Sequence, residues 1–328
     1  MSACSQIRVD GLDVSFLDAA CALVLQEYDE QRRLMPYLPN AADYRLEIGQ
    51  SMERLFRLGT GLLALQSHRV VGFLAGYPVD GLFGDCRGVY SPLYGHSTVP
   101  ENRRQIYDIL YEKAAELWVQ SRLFSHALTL FAYDTAATAD WFWRGFGMRC
   151  VDAVRPSASL VQAQPNLAMR KMTKATVPEI ADLHSQHNLY YRGAPIFMPN
   201  IWEDPVTDLQ EWLDGSNHHL WAAYQGGHPV GYIRIEPDGE SFISLHPSVM
   251  NITAAFVLPR LRGSGVGTLL WSTAAEWSQQ EGYRLLGVDY EAINPAARRF
   301  WGRHFDPYTC SVTRRVDERI AERDGGSR

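Results

Sequence analysis

The feature that most constrains this chain is that it repeats itself. Leu62-Leu63-Ala64-Leu65, a polar turn at Ser67-His68 and Val71-Gly72-Phe73-Leu74-Ala75-Gly76 form one pattern. Leu220-Trp221-Ala222-Ala223-Tyr224, the turn Gln225-Gly226-Gly227 and Val230-Gly231-Tyr232-Ile233-Arg234-Ile235 form a second. Each is a pair of apolar runs rich in β-branched or aromatic residues about a short turn, which reads as a β-hairpin. Val71-Gly72 and Val230-Gly231 lie 159 residues apart. Val99 and Val257, each ending a predicted strand before a helix, lie 158 apart, as do Phe142-Trp143 and Phe300-Trp301. Three landmarks at nearly one spacing predict two copies of one α/β unit.

Each copy is then expected to run alike. A short first strand (residues 6–9 and 168–171) leads to a helical pair, a three-strand meander, a helix, a strand, another helix and final strands. That order predicts a mixed sheet with helices on its faces, the α/β class with some α+β character. A stretch over residues 153–167 holding Pro156, Ser157, Ser159, Gln162, Gln164 and Pro165 marks the junction, as a linker or a linker plus an exchanged strand. The expected domains are residues 1–155 and 168–328, with a linker over 156–167. The length of 328 residues suits two domains.

A net charge of -6 argues against a nucleic-acid partner and mildly favours a cationic substrate. The N-terminus has neither the basic start nor the apolar run of a signal peptide, and no apolar stretch long enough to span a bilayer is present. The five cysteines (Cys4, Cys21, Cys86, Cys150 and Cys310) are scattered and form no CxxC pair, which suits a reducing compartment. A cytoplasmic location without membrane contact is the expectation. His184 and His187 stand three apart on a predicted helix, and His218-His219 are adjacent, without a third ligand at suitable spacing. No metal site is expected.

The most informative segment is Asn251-Ile252-Thr253-Ala254-Ala255-Phe256-Val257-Leu258-Pro259-Arg260-Leu261-Arg262-Gly263-Ser264-Gly265-Val266-Gly267-Thr268. It reads as a strand, a glycine-rich turn and a helix beginning at Val266. Glycines let the backbone approach a ligand closely, and a helix N-terminus directs N–H groups and partial positive charge at it. A pyrophosphate suits such a turn, with Arg262 able to pair with its oxygens. The spacing lacks the GK[ST] of a P-loop and does not fit GxGxxG.

Arg262, Gly265 and Gly267 do fit Arg-x-x-Gly-x-Gly, and together with Val257 and Leu270 this segment resembles the acetyl-CoA motif of GNAT N-acetyltransferases. A second family motif, Asn-x-x-Ala-x-x-Phe-Tyr, is matched by Asn294, Ala297 and Phe300, with Trp301 where tyrosine is usual. The doubled arrangement resembles tandem GNAT proteins of bacteria. The first copy looks degenerate: the matching stretch, residues 99–108, has no glycine, and Asp108 would repel a phosphate.

The resemblance implies acyl transfer from acetyl-CoA to an amine. It places the cofactor on Ala255, Phe256, Val257, Arg262, Gly263, Ser264, Gly265, Val266, Gly267 and Thr268, and on Asn294, Ala297, Phe300 and Trp301. In the family the pantetheine arm lies in a splay between the strand before the loop and the next one, here residues 285–290. Asn294 also reads as a helix N-cap before Pro295, a role compatible with the first. The indole of Trp301 is too weak an acid for the family's tyrosine role, which leaves His304, Tyr308 and Tyr290 as alternatives. For a base, Glu236 follows the hairpin strand, while Asp289 and Glu291 alternate on one face of a later strand. The candidate catalytic residues are therefore Glu236, Asp289, Glu291 and His304. Tyr190-Tyr191-Arg192 and residues 195–202 fall where the family shapes its acceptor pocket, and serve equally as core. No activated serine or cysteine motif is evident, so direct attack by a small-molecule or peptide amine is expected. A CoA-binding regulatory module without turnover is the alternative.

Overall fold

The computed structural model describes residues 6–158, 166–199 and 204–323. The chain divides into two compact units, Met1–Val151 with Tyr308–Arg328, and Asp152–Pro307. The division expected from sequence differs from this at both ends. The last strand of the chain belongs to the first unit, and the end of the first copy, from Asp152, belongs to the second. Most of the expected linker, residues 159–165, lies outside the described residues.

The first unit runs β1 (Arg8–Gly11), α1 (Leu17–Leu34), α2 (Ala41–Leu58), β2 (Thr60–Gln66), β3 (Arg69–Val79), β4 (Gly88–Ser91), β5 (His96–Thr98), α3 (Arg103–Gln120), β6 (Ser125–Phe131) and α4 (Thr135–Trp143), and the chain continues into β7 (Gly147–Pro156). The second runs β8 (Ala168–Lys171), α5 (Ala181–Arg192), α6 (Pro205–Trp212), β9 (His219–Gln225), β10 (His228–Glu236), β11 (Val249–Val257), α7 (Val266–Gln280), β12 (Leu285–Glu291) and α8 (Pro295–Trp301), followed by β13 (Asp306–Arg315). Strand order is β1-β2-β3-β4-β6-β13 in the first unit, with β5 on β3, and β7-β12-β11-β10-β9-β8 in the second. β13 fills the antiparallel place beside β6, from Thr309↔Phe131 to Arg315↔Ser125. Both units mix parallel and antiparallel pairs, since β4 runs parallel to β6 and β11 parallel to β12.

The repeated Val-Gly has a packing cause. A Cβ on Gly72 would meet Ile106 Cγ2 at 2.8 Å, and one on Gly231 would meet Phe256 O at 2.8 Å and Leu270 Cδ1 at 3.2 Å. In each copy this strand position must stay bare for the long helix to lie on the sheet. The spacing itself needs correction at two landmarks. Val99 N–H donates to Val71 O at 2.9 Å, as Leu258 N–H does to Val230 O at 3.0 Å, so Val99 matches Leu258 at 159, not Val257. Asp134 and Asn294 both cap a helix seven residues before a buried tryptophan, Trp141 and Trp301. Phe142 and Trp143, paired by sequence with Phe300 and Trp301, are 67% and 78% exposed. The true partner of Trp301 is Trp141. Trp141 and Cys310 sit in the first unit's core with Trp118, Tyr111 and Phe146. No helix among the described residues is long and apolar enough to cross a membrane.

Candidate functional site

The second unit encloses a cavity of about 580 Å³ whose lining comes from four places. They are the end of α5 (His187, Tyr190, Tyr191), residues 252–257 of β11, the turn and first helical residues from Arg262 to Leu270, and a far wall of residues 288–290 and 294–304. The cavity exists because two parallel strands part. β11 and β12 pair from Val249↔Leu285 to Ile252↔Val288 and no further, so Thr253–Val257 have β10 on one side and the cavity on the other. Backbone groups that a complete sheet would use are thereby turned toward a ligand.

At one end the glycine turn meets α7. Gly263 and Gly265 hold φ of 82° and 90°, left-handed values that side chains disfavour. A Cβ at Gly263 would enter open space. Gly265 is the N-cap of α7, and no side chain caps it. The first-turn N–H groups are therefore left for an acceptor from outside the helix. Arg262 donates from Nε to Val257 O at 3.3 Å and lays its guanidinium over Tyr190, 4.5 Å from the ring centre. Tyr190 Oη donates to Asn294 Oδ1 at 3.0 Å, and the same oxygen accepts from Ala296 N and Ala297 N at 3.2 Å each. Asn294 is thus a helix cap and a cavity wall at once. An anionic, phosphate-bearing ligand with an extended arm fits these parts: bare N–H groups and a guanidinium at one end, a parted strand pair along the middle.

The first unit has the same frame filled in. Arg103 matches Arg262 at the 159 spacing, and there it is ion-paired with Asp134, in contact with Glu27 at 3.2 Å and with Tyr133 Oη at 3.1 Å. Burial pushes the Glu27 carboxyl up to about 7 even with Arg103 beside it. Two acidic side chains thus occupy the guanidinium that the second unit leaves over the rings of Tyr190 and Phe256. Asp108, expected to repel phosphate, pairs instead with Arg144 at 2.6 Å.

Of the residues singled out from sequence, Ala255, Phe256, Val257, Arg262, Gly263, Gly265, Gly267, Thr268, Asn294, Ala297, Phe300 and Trp301 line the cavity. Ser264 and Val266 do not: Ser264 turns its hydroxyl to Leu261 O at 2.7 Å, and Val266 is buried beneath α7. The four catalytic candidates separate. Glu236, expected as a base, lies away from the lining, accepting from Trp212 Nε1 at 3.2 Å and standing 3.1 Å from His218 Nε2. With Asp238 these residues form the one cluster of three metal-type ligands found among the described residues. Glu291 is also absent from the lining. Asn251, at the start of β11, donates to Ser244 O at 2.9 Å and serves the neighbouring loop.

Asp289 and His304 do face the cavity. The surrounding wall pushes the Asp289 carboxyl up to about 7, with like charge from Glu240, Asp152 and Glu291 adding to it and the backbone amide of Asp289 opposing. Asp289 is nonetheless exposed by surface area, and solvent access screens part of the repulsion. His304 packs between Trp271 and Phe300, with ring centres 5.3 and 5.0 Å away, and burial with Arg155 and Arg303 holds it below the usual histidine range. Trp301 is 7% exposed and packs on Phe300 and Phe305.

Sequence reasoning passed over several members of the lining, His187 among them. His187 stacks on Phe256 with ring centres 5.2 Å apart and lines the cavity beside Tyr190 and Tyr191. Its only sequence signal was the three-residue spacing from His184, set aside as a poor metal pair.

Comparison with known proteins agrees with this geometry. Residues 183–306 match the model of the acetyltransferase (GNAT) family, spanning α5 to the start of β13. Over these residues the chain is similar to the GNAT family. Solved GNAT structures share its fold over nearly the whole length. A GCN5-related N-acetyltransferase from Sphaerobacter thermophilus superposes with a TM-score of 0.59 at 14% identity, covering 94% of this chain and 95% of that one. A GCN5-related glucosamine N-acetyltransferase region of a fungal multi-domain GH3 β-N-acetylglucosaminidase gives 0.54 at 14% identity, over 95% of this chain and 38% of that one. No curated protein matches the sequence.

Proposed function

We propose that the second unit is an acetyl-CoA-dependent N-acetyltransferase acting by direct attack of a primary amine of a small molecule or peptide. The observation that carries this reading is the uncapped glycine N-terminus of α7 opening onto the same cavity as the unpaired edge of β11. The N–H groups of Gly263 and of the first turn of α7 from Gly265 to Thr268, with the Arg262 guanidinium, would hold the pyrophosphate. Backbone groups of Ala255, Phe256 and Val257 would meet the pantetheine arm and acyl oxygen, and Asn294, Ala297, Phe300 and Trp301 would wall the thiol end. Once bound, acetyl-CoA supplies the activated acyl group. What the chain adds is alignment and charge.

Asp289 draws a cationic acceptor toward the cavity. A carboxyl raised to about 7 is better matched than an ordinary one to taking the ammonium proton near neutral pH, leaving the neutral amine that attack requires. Its like-charged neighbours favour an acceptor of positive charge, in keeping with the net charge of -6. His304 stays neutral and shapes the wall. Trp301, where the family has tyrosine, favours a second reading in which acetyl-CoA binds without turnover. The protein is read as cytoplasmic, with no nucleic-acid or membrane partner.

Calorimetric titration with acetyl-CoA tests the cofactor half, and the expected result is one site per chain. Absence of binding would overturn both readings, and binding without turnover on any amine would favour the second.

A further inference from the structure

Behind the cavity wall, four side chains from three elements form a continuous hydrogen-bonded line. Asp208 Oδ2 on α6 is 2.7 Å from His184 Nε2, and His184 Nδ1 is 2.9 Å from Tyr232 Oη. Tyr232 Oη is in turn 2.7 Å from His187 Nδ1. The outer end is wet, with the Asp208 side chain 44% accessible, while Tyr232 is fully buried on β10. The inner end is the cavity wall.

Hydrogen-bond valence fixes the direction of every proton in this line. The Asp208 carboxylate, with Arg234 Nη1 3.9 Å away, can only accept, and His184 must carry its proton on Nε2. Its Nδ1 is then a bare acceptor, to which Tyr232 gives its single O–H. The phenol oxygen accepts from His187, which places that proton on Nδ1. His187 Nε2 is left without a proton. No protein partner is recorded for it among the described residues, and its ring faces the cavity. Asn188 Nδ2 stands 3.3 Å from His184 Nε2, a place where the amide can equally present its oxygen.

We propose that Asp208, His184, Tyr232 and His187 form a proton relay, with His187 Nε2 the group that takes the amine's second proton during acyl transfer. The proposal rests on the acetyltransferase reading of the cavity. As the amide bond forms, the acceptor N–H breaks and an Nε2–H forms on His187. The Nδ1 proton passes to Tyr232, the phenol's proton passes to His184 Nδ1, and the His184 Nε2 proton passes to the Asp208 carboxylate. The line is then reversed in direction. Run backward, it returns a proton from His187 Nε2 to the sulfur as the carbon–sulfur bond breaks, forming the S–H and restoring each hydrogen bond. The proton the amine loses is the one the thiol gains, and no extra reactant is needed.

Two observations fit this use. Burial, with the charges of Arg234 and Arg262 adding to it, holds His187 down at about 3, so the ring does not store a proton and must pass it on. A relay of this kind also supplies the acid that Trp301 does not. His187 is the catalytic residue of the set; Tyr232, His184 and Asp208 act through it.

Histidine tautomers read by nitrogen-15 NMR on the ligand-free protein test the relay without requiring turnover. The expected spectrum shows His187 protonated on Nδ1 and bare on Nε2, with His184 protonated on Nε2. A proton on His187 Nε2 would overturn the proposal. Tyr232→Phe then breaks the line at its centre with almost no change of volume. With the best amine, kcat is expected to fall roughly 10²-fold or more while KM for acetyl-CoA stays within about twofold. Wild type should show a curved proton inventory in mixed light and heavy water, and the variant a linear one. An unchanged kcat in a folded Tyr232→Phe would refute the relay. A wild type that fails to bind acetyl-CoA would refute the acetyltransferase reading instead.

Discussion

Gly265 and Gly282 offer a matched pair for asking whether the start of α7 is a ligand cradle. Both hold φ of 90°, Gly265 as the N-cap of the helix and Gly282 just beyond its far end. Around Gly282 an added Cβ meets nothing within 4 Å. Alanine at either position should therefore cost about the same backbone strain, ~1–2 kcal/mol for an L-residue in the left-handed region. In a unit of this size that lowers Tm by roughly 2–4 °C per kcal/mol. The two variants should part in ligand binding. Relaxing the strain at Gly265 rotates N–H groups away from the cavity, and losing one charge-assisted hydrogen bond costs about 1.5–3 kcal/mol. Acetyl-CoA affinity should then fall about 10- to 100-fold in Gly265→Ala and stay unchanged in Gly282→Ala, as read by calorimetry beside thermal unfolding. Equal affinities in two variants of equal Tm would refute the assignment of the α7 N-terminus to phosphate.

Other outcomes follow from the same structure. Asp289→Asn should change stability as a function of pH. The folded carboxyl, raised to about 7 from 3.8, holds a proton that the unfolded chain loses, so its contribution is full below about pH 4 and is lost as pH rises to 7. The variant should therefore gain in Tm over wild type across that window and keep the gain above it, and parallel pH profiles would contradict the shift. In activity, the same variant should lose the ionisation near 7 from the kcat/KM profile for its amine. In the first unit, Arg103→Met leaves Glu27 and Asp134 without their cation, which should cost about 3–5 kcal/mol by denaturant unfolding. Acetyl-CoA affinity should not change, because that unit's frame is already filled by its own side chains.

What the sequence disclosed, and what it withheld, follows from the range of the interactions involved. The glycine turn, the α7 start and the Asn294 cap are local, so each could be read from a few adjacent residues. The hairpins were visible for the same reason, and Gly72 and Gly231 explain why the repeat persists where the helices press on the strands. Register within the repeat was less legible, because Phe142-Trp143 and Phe300-Trp301 look alike as letters, and only burial shows that Trp141 is the true counterpart of Trp301. The exchange of the last strands was open in sequence only as one of two alternatives at the junction, since β13 meets β6 across a long stretch of chain. Glu236 read as a candidate base after the hairpin strand, because nothing near it announces Trp212 and His218 as partners. The line from Asp208 to His187 was hidden most completely: its members stand on two helices and a strand, and Tyr232 looks like any core aromatic until its hydroxyl is found between two imidazoles.

The central claim is most directly tested by release of CoA thiol from acetyl-CoA over a panel of mono- and polyamines, comparing wild type with Gly265→Glu. The account predicts amine-dependent release by wild type, strongest with acceptors carrying a second positive charge, and none by the variant, whose carboxylate faces the pyrophosphate position. Amine-dependent release that survives in Gly265→Glu would contradict it.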